Sequence, residues 1–317
     1  MQEAHTEDTR FQNNPQPNPT SKKRKKPVKD IDNKMGYLFL SPFIFGTIAF
    51  MLFPMAYSLY LSFTDFNLVG TPQWAGLANY KEMFTNDPVF WESMRVTFFY
   101  AGTAVPFRLI FALLIALVLN RVVEMVGVYR TLLYLPSIVG GSIGVSIMWR
   151  QLFGNDGAIN SMLESIGLSG HSWLGDPNTA IWTLVILYGW QFGSSMIIFL
   201  AGLRNIPGIY YEAAEVDGAT PLQKFFKITI PMLTPVILFN VIMQVIHGFM
   251  AFTPAFIITE GGPINSTLLY VLYMYRQAFQ FFDMGYASAL AWVMLLIIGI
   301  FTAIIFKSSD YWVHYDG

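Results

Sequence analysis

Six stretches of this sequence are long and apolar enough to cross a bilayer: Tyr37 to Phe63, Val96 to Leu119, Thr131 to Leu152, Ala180 to Leu203, Pro231 to Ile258, and Tyr286 to Phe306. Nothing constrains the fold more, because a span needs about 20 predominantly apolar residues and must satisfy its own backbone. Composition agrees: 54% of residues are hydrophobic and 12% charged, against about a quarter charged in a soluble domain. The expectation is an all-α membrane protein with six transmembrane helices in a lipid bilayer, and a soluble α/β enzyme is disfavoured. With no cysteine, a disulfide framework, a Cys-based zinc site and a thiol nucleophile drop out.

Orientation follows from the basic residues. Residues 1–36 are polar, Asn/Pro-rich and basic at Ser21–Lys26 (SKKRKK), with no apolar core of a signal peptide. Such a segment buries too little to fold and is expected to be disordered. The basic run could suit nucleic acid, but directly before a span it reads as a topology anchor, so no nucleic acid is expected. With the spans as bounded, 14 Lys/Arg fall on the side of the two termini and four on the other, with Arg108 inside a span. Both termini are therefore expected in the cytoplasm of a multi-pass plasma-membrane protein. The organisation reads as a basic tail (1–36), a six-span domain (37–306) and a short cytoplasmic tail (307–317).

The connection after the fourth span breaks the apolar pattern with EAAEVDGATPLQKFFKITIP, residues 212–231. Glu212 to Val216 suits a helix, and Asp217-Gly218 a turn. Thr220, Pro221 and Gln223 then make the start of a second helix with a capping box. Leu222, Phe225, Phe226 and Thr229 share one face of it, Lys224 and Lys227 point away, and Pro231 is expected to end it. An amphipathic element in the cytoplasm needs a partner for its apolar face. Lipid headgroups fit the lysines but not Glu212, Glu215 and Asp217.

This stretch resembles the EAA loop of the membrane subunits of ABC importers. Glu212-Ala213-Ala214, Gly218, Ile228 and Ile230-Pro231 fall at the family's spacing, with Ile230 where Leu is usual. The segments LPSIVGGSIGVSIMWRQLF (135–153), GLRNIPGIYYEAAEVDGA (202–219), ITEGGPINST (258–267) and GYASALAW (285–292) extend the resemblance over residues 37–306, toward the first permease subunit of maltose-type importers. It implies a type I importer permease fold in which residues 212–231 form a coupling helix seated on an ATPase. Glu212, Ala213, Ala214, Asp217, Gly218, Leu222, Phe225 and Phe226 would carry that contact. It further implies a second homologous permease, two ATPase subunits and an extracytoplasmic sugar-binding protein, in a bacterial cell membrane. The sequence contains no G-x-x-x-x-G-K-[ST] loop, so ATP and Mg are expected on the ATPase partners. No cofactor, metal or catalytic residue is expected here.

Polar residues inside spans are costly and raise a functional hypothesis. Asn240, Gln244, His247, Gly248 and Ala251 fall on one face of the fifth span, and Tyr188, Gln191 and Ser195 recur on the fourth. They suit sugar hydroxyls, and equally suit polar bonding between helices. The resemblance favours the first use. It puts sugar contacts at Gln244, His247, Gly248 and Ala251, at Tyr188, Phe192 and Ser195, and at Ser137 and Gly141. Their residue types depart from the maltose pattern, so the sugar is not named. Gly140 and Gly144 read as a close-packing pair, and Arg108 as a structural residue that pairs with a carboxylate or carbonyl of the partner permease or reaches toward an interface, with substrate contact the alternative. The expected function is import of a sugar, an oligosaccharide. A polyol or glycerol-phosphate permease of the same family is the runner-up. An ion-coupled secondary transporter lacks its paired intramembrane charges, and a membrane-embedded enzyme its clustered acids, His or Ser/Lys pairs.

Overall fold

The computed structural model describes residues 31–68, 70–121 and 126–314. The tail expected to be disordered lies outside the described residues over 1–30, as do residues 315–317. The chain divides into two compact units, Met1–Pro54 and Met55–Gly317. In the first, α1 (Ile31–Thr47) begins six residues before the expected span and leads into a π turn, Ile48–Leu52. Pro54 follows two residues later. A proline removes one i→i−4 bond and crowds the carbonyl four residues back, and a wider turn just before it relieves both.

The second unit is entered along α2 (Phe53–Leu61). A two-residue antiparallel ladder, β1 (Thr64–Asp65) with β2 (Gln73–Trp74), and α3 (Ala78–Thr85) lead to the central helix α4 (Pro88–Arg121). Along α4, Thr97, Ala101, Ala104, Arg108, Ala112 and Ala116 are buried at spacings of three and four residues. That periodicity defines one face, and its small residues let neighbouring backbones approach. α8 (Ala180–Trp190), α9 (Gly193–Asn205) and α12 (Ile230–Phe249) pack around this helix. One buried cluster surrounds Tyr100, Leu184, Leu187 and Tyr270, and a second surrounds Ala112, Met196, Phe199 and Leu233.

Among the described residues, four apolar runs are unbroken spans: Met35–Leu61, Pro88–Arg121, Pro221–Phe249 and Met284–Ser309. Two expected spans are broken. The third is α5 (Val126–Val139) followed by α6 (Ile143–Leu152), bent by 93° at Gly140–Ser142. The Ser142 side chain accepts from the Val145 N–H and starts α6 as an N-cap. After α7 (Ala158–Ser165), the fourth is α8 (Ala180–Trp190) and α9 (Gly193–Asn205), bent by 43°. Bent pairs counted as single spans, the helices number up to six.

The fifth span departs from expectation at both ends. After α10 (Gly208–Val216), α11 (Pro221–Lys224) does not stop at Pro231. It passes through a π turn, Phe225–Thr229, into α12 (Ile230–Phe249), making one helix from Pro221 to Phe249. The π turn again precedes the proline by two residues. The helix ends at Phe249 rather than near Ile258, and residues 255–259 form a separate π turn. α13 (Tyr270–Phe279) is too short to span, and α14 (Met284–Ser309) ends three residues beyond the expected Phe306.

Candidate functional site

Where two helices break at membrane depth, freed backbone groups must find partners or line a cavity. Here each break satisfies the other. Ser137 Oγ of α5 donates to the Gln191 carbonyl (2.8 Å) and accepts from the Ser194 N–H (3.0 Å). Gln191 Nε2 donates in return to the Gly140 carbonyl (3.1 Å), at the end of α5. A Cβ on Gly140 would lie 2.3 Å from the Gln191 side chain, whereas one on Gly144 would meet nothing within 4 Å. Gly140 is therefore a close-packing glycine, and Gly144 is not.

A cavity of ≈ 450 Å³ opens beside this clamp. Its lining includes Arg108, Ser137, Gly141, Tyr188, His247 and Ala251. Tyr188 donates to Gln244, within 2.9 Å of Oε1 and 3.0 Å of the main-chain carbonyl. Its ring stands edge-on to Tyr100, with 5.9 Å between centroids. Arg108 places its Cζ 4.7 Å from the centroid of the Tyr188 ring and donates from Nη2 to Ser194 Oγ at 3.0 Å. The cavity thus sits midway along α4, with a cation, aromatic faces and hydroxyls on its wall.

A different apparatus occupies the Arg121 end of α4. α10 ends in a Schellman motif: Gly218, at φ +73°, donates to the Glu215 carbonyl, and Ala219 to that of Ala214 (2.8 Å). Thr220 and Gln223 form the expected capping box, with Pro221 in the first turn. Lys224 Nζ reaches back 2.7 Å to Glu215 Oε1 and braces the two helices across the turn. Tyr211 and Thr229 bond through their hydroxyls at 2.9 Å. Leu222 and Phe226 are 68% and 60% exposed, and Val216 89%. Phe225 is half-buried in a recess with Leu117, Leu203 and Tyr211.

The comparisons with known proteins can be set against this geometry. Residues 96–314 match the family described as binding-protein-dependent transport system inner membrane component. The chain belongs to this family. The probable ABC transporter permease protein YesP of Bacillus subtilis (strain 168) is 57% identical over 288 residues, covering 90% of this chain and 93% of that protein. The lactose transport system permease protein LacF of Rhizobium radiobacter is 36% identical, covering 86% and 93%. The arabinooligosaccharides transport system permease protein AraP of Bacillus subtilis (strain 168) is 32% identical, covering 86% and 88%. In fold, a crystal structure of a bacterial ABC transporter for import of the acidic polysaccharide alginate superposes with a TM-score of 0.77 at 22% identity, covering 89% of this chain and 96% of that one. The type I permease fold read from the sequence is the fold observed.

Within this permease the sequence-predicted sugar contacts divide. Tyr188, His247, Ala251, Ser137 and Gly141 line the cavity. Four others do not. Phe192 is buried against Phe111, with 4.8 Å between ring centroids, and Ser195 is fully buried with its Oγ unpartnered among the described residues. Gln244 is buried as the acceptor of Tyr188. Gly248 faces α4, where a Cβ would lie 3.0 Å from Val105 Cγ2. Asn240 is fully buried and bonds within its own helix, to the Val236 carbonyl. Ser194 also lines the cavity and is not singled out by the sequence, and Arg108, weighted there toward a structural role, lies on the cavity wall. Arg108 was legible as an odd charge inside a span, but its direction depends on the α8–α9 bend.

In the predicted coupling stretch, Glu212, Ala213, Asp217 and Gly218 are exposed and Ala214 is half-buried. The apolar pair facing outward is Leu222 and Phe226, because the turn swings Phe225 inward. Lys224 is not turned away but tied to Glu215. At the Pro88 end of α4 lies a larger polar hollow of ≈ 510 Å³, around Asp87, Tyr273 and Tyr286. Its groups satisfy one another: both phenols donate to Asp87 Oδ2. Burial, with the adjacent Asp87, holds the Tyr273 phenol well above its ordinary pKa. The hollow lies at a bundle end rather than midway along the spans, so the smaller cavity is the better pathway candidate.

Proposed function

We propose that this permease forms half of the translocation pathway of an ATP-driven, binding-protein-dependent importer for a sugar, an oligosaccharide. In this reading it makes no chemical bond. Substrate passes from an extracytoplasmic binding protein into the cavity beside the two helix breaks, and ATP bound with Mg on two partner ATPase subunits drives the change of access. A second, homologous permease supplies the other wall. Both termini and the Glu212–Pro231 element face the cytoplasm of a bacterial cell. The lactose and arabinooligosaccharide permeases among the relatives support the substrate class.

One observation carries the coupling. The helix Pro221–Phe249 has Leu222 and Phe226 exposed near one end and the cavity residue His247 near the other. At 1.5 Å per residue these positions lie about 32–38 Å apart on a single element. A shift imposed on the outward pair by a closing ATPase therefore reaches the cavity wall as rigid-body movement, without a flexible joint. Deleting the gene should abolish uptake of the labelled oligosaccharide in cells that retain the binding protein, and restoring it should recover uptake. Undiminished uptake of every sugar the binding protein holds would refute the role.

A further inference from the structure

The Arg108 guanidinium is the one feature of the cavity that a neutral sugar does not call for. It is 6% exposed, in the middle of the buried face of α4. Of its five N–H donors, Nη2 bonds Ser194 Oγ, the Tyr188 side chain also engages the group, and Nε is buried without a partner among the described residues. No ion pair to it exists among the described residues. Among the described residues of this chain no aspartate or glutamate lines the cavity, whose other ionisable groups are His247 and the phenols of Tyr100 and Tyr188.

A charge this buried is costly unless an anion meets it. The Tyr188 ring face stabilises the cation without neutralising it. A structural arginine would bury its donors against carbonyls or a carboxylate, yet among the described residues this one lies on the wall of a ≈ 450 Å³ cavity with hydroxyl partners and an unpartnered Nε. Its location also answers how the site is held. Ser194, its anchor, is the residue whose N–H bonds Ser137 across the two breaks. The guanidinium is thus fixed to the most constrained part of the pathway.

Resting on the sugar-permease reading, we infer that the cargo is an acidic saccharide whose carboxylate is received by Arg108. A uronic acid fits the charge count, one anion to one guanidinium, and a carboxylate matches the planar fork of N–H donors. A phosphate, carrying nearly two charges at neutral pH, would call for a second permanent cation, and among the described residues of this chain none lines the cavity. The ring hydroxyls then face Tyr188, His247 and Ser137, the groups a neutral sugar would also use.

The test is uptake by the importer assembled with its own binding protein in proteoliposomes, using matched cargoes. Oligosaccharides carrying a single uronate residue are compared with their carboxyl-reduced counterparts, and a disaccharide phosphate is the third arm. The expected result is transport of a uronate oligosaccharide, with the reduced counterpart slower by about 10- to 100-fold, as a charge-assisted hydrogen bond implies. Arg108→Gln should lower uronate uptake far more than uptake of the reduced sugar, so that most of the discrimination between the two cargoes is lost. Arg108→Lys, which keeps the charge but loses the fork, should retain an intermediate rate and shows that the site still folds. Transport of a neutral oligosaccharide alone, indifferent to both variants, would overturn the inference and leave the sugar permease standing. Arg108-dependent transport of the phosphate but not the uronates would overturn the carboxylate assignment. Transport of no saccharide by the intact assembly would remove the sugar reading and this inference with it.

Discussion

Ser137→Ala removes one hydroxyl and unpairs two backbone groups at once. Ser137 Oγ bonds the Gln191 carbonyl at 2.8 Å and the Ser194 N–H at 3.0 Å, so the substitution leaves both without a protein partner. At the average for polar contacts in membranes, about 0.6 kcal/mol each, the two bonds give a floor near 1 kcal/mol. At about 1–3 kcal/mol for a buried group left unsatisfied, they give a ceiling near 6 kcal/mol. Ser137 lines the cavity and is only half-buried, so water can replace part of what is lost. The estimate therefore settles at about 1–3 kcal/mol. The bend between α8 and α9 should loosen with little change elsewhere. Thermal unfolding of the purified importer should shift down by several degrees, and uptake should fall while ATPase subunits stay bound. Ser137→Thr, which keeps the hydroxyl, should restore most of both. Unchanged melting and uptake in Ser137→Ala would refute the reciprocal clamp.

Gly218 adopts φ +73° with open space around its missing Cβ, so Gly218→Val should cost a backbone term of about 1–2 kcal/mol and no clash. Gly218→Asn, which tolerates that conformation, should transport nearly as wild type, and equal defects in the two variants would point to sterics instead. His247→Ala should impair uptake without loss of assembly, whereas Gln244→Ala should mainly lower stability, by about 1–3 kcal/mol, because it strips the acceptor from Tyr188. Identical signatures would mean that the two residues do one job. A reporter at either terminus should remain inside cells and a tag at Gly170 should be reached from outside, so an inaccessible Gly170 tag in active protein would sink the orientation.

Much of the architecture is legible in the sequence, because lipid demands long apolar runs and those runs are plain. The breaks are not. Hydropathy is blind to backbone direction, so Thr131–Leu152 reads as one span although Gly140-Gly141-Ser142 turns it by 93°. Pro231 misleads for a related reason: it ends an ideal α-helix, but a π turn at Phe225–Thr229 carries the helix through. The Thr220–Gln223 capping box is read correctly since its bonds are local. Cavity residues separate less well. Gln244 and Gly248 share a polar stripe with His247, yet they are pressed onto α8 and α4 while His247 is exposed to the cavity. Only tertiary packing decides between such neighbours. Arg108 stands out in the sequence as a charge in a span, but its partners lie 80 residues and more away, on α8 and α9.

The outward face at the start of the Pro221–Phe249 helix is proposed as the place where an ATPase takes hold. Leu222 and Phe226 are its exposed apolar anchors, and truncating such anchors typically costs about 2 kcal/mol or more each at an interface. The decisive measurement is the number of ATPase subunits that co-purify per permease when both residues are alanine. The permease should insert and pair normally, the ATPase should fall well below wild-type occupancy, and uptake should fail. Full ATPase occupancy with normal uptake in the double variant would contradict that role.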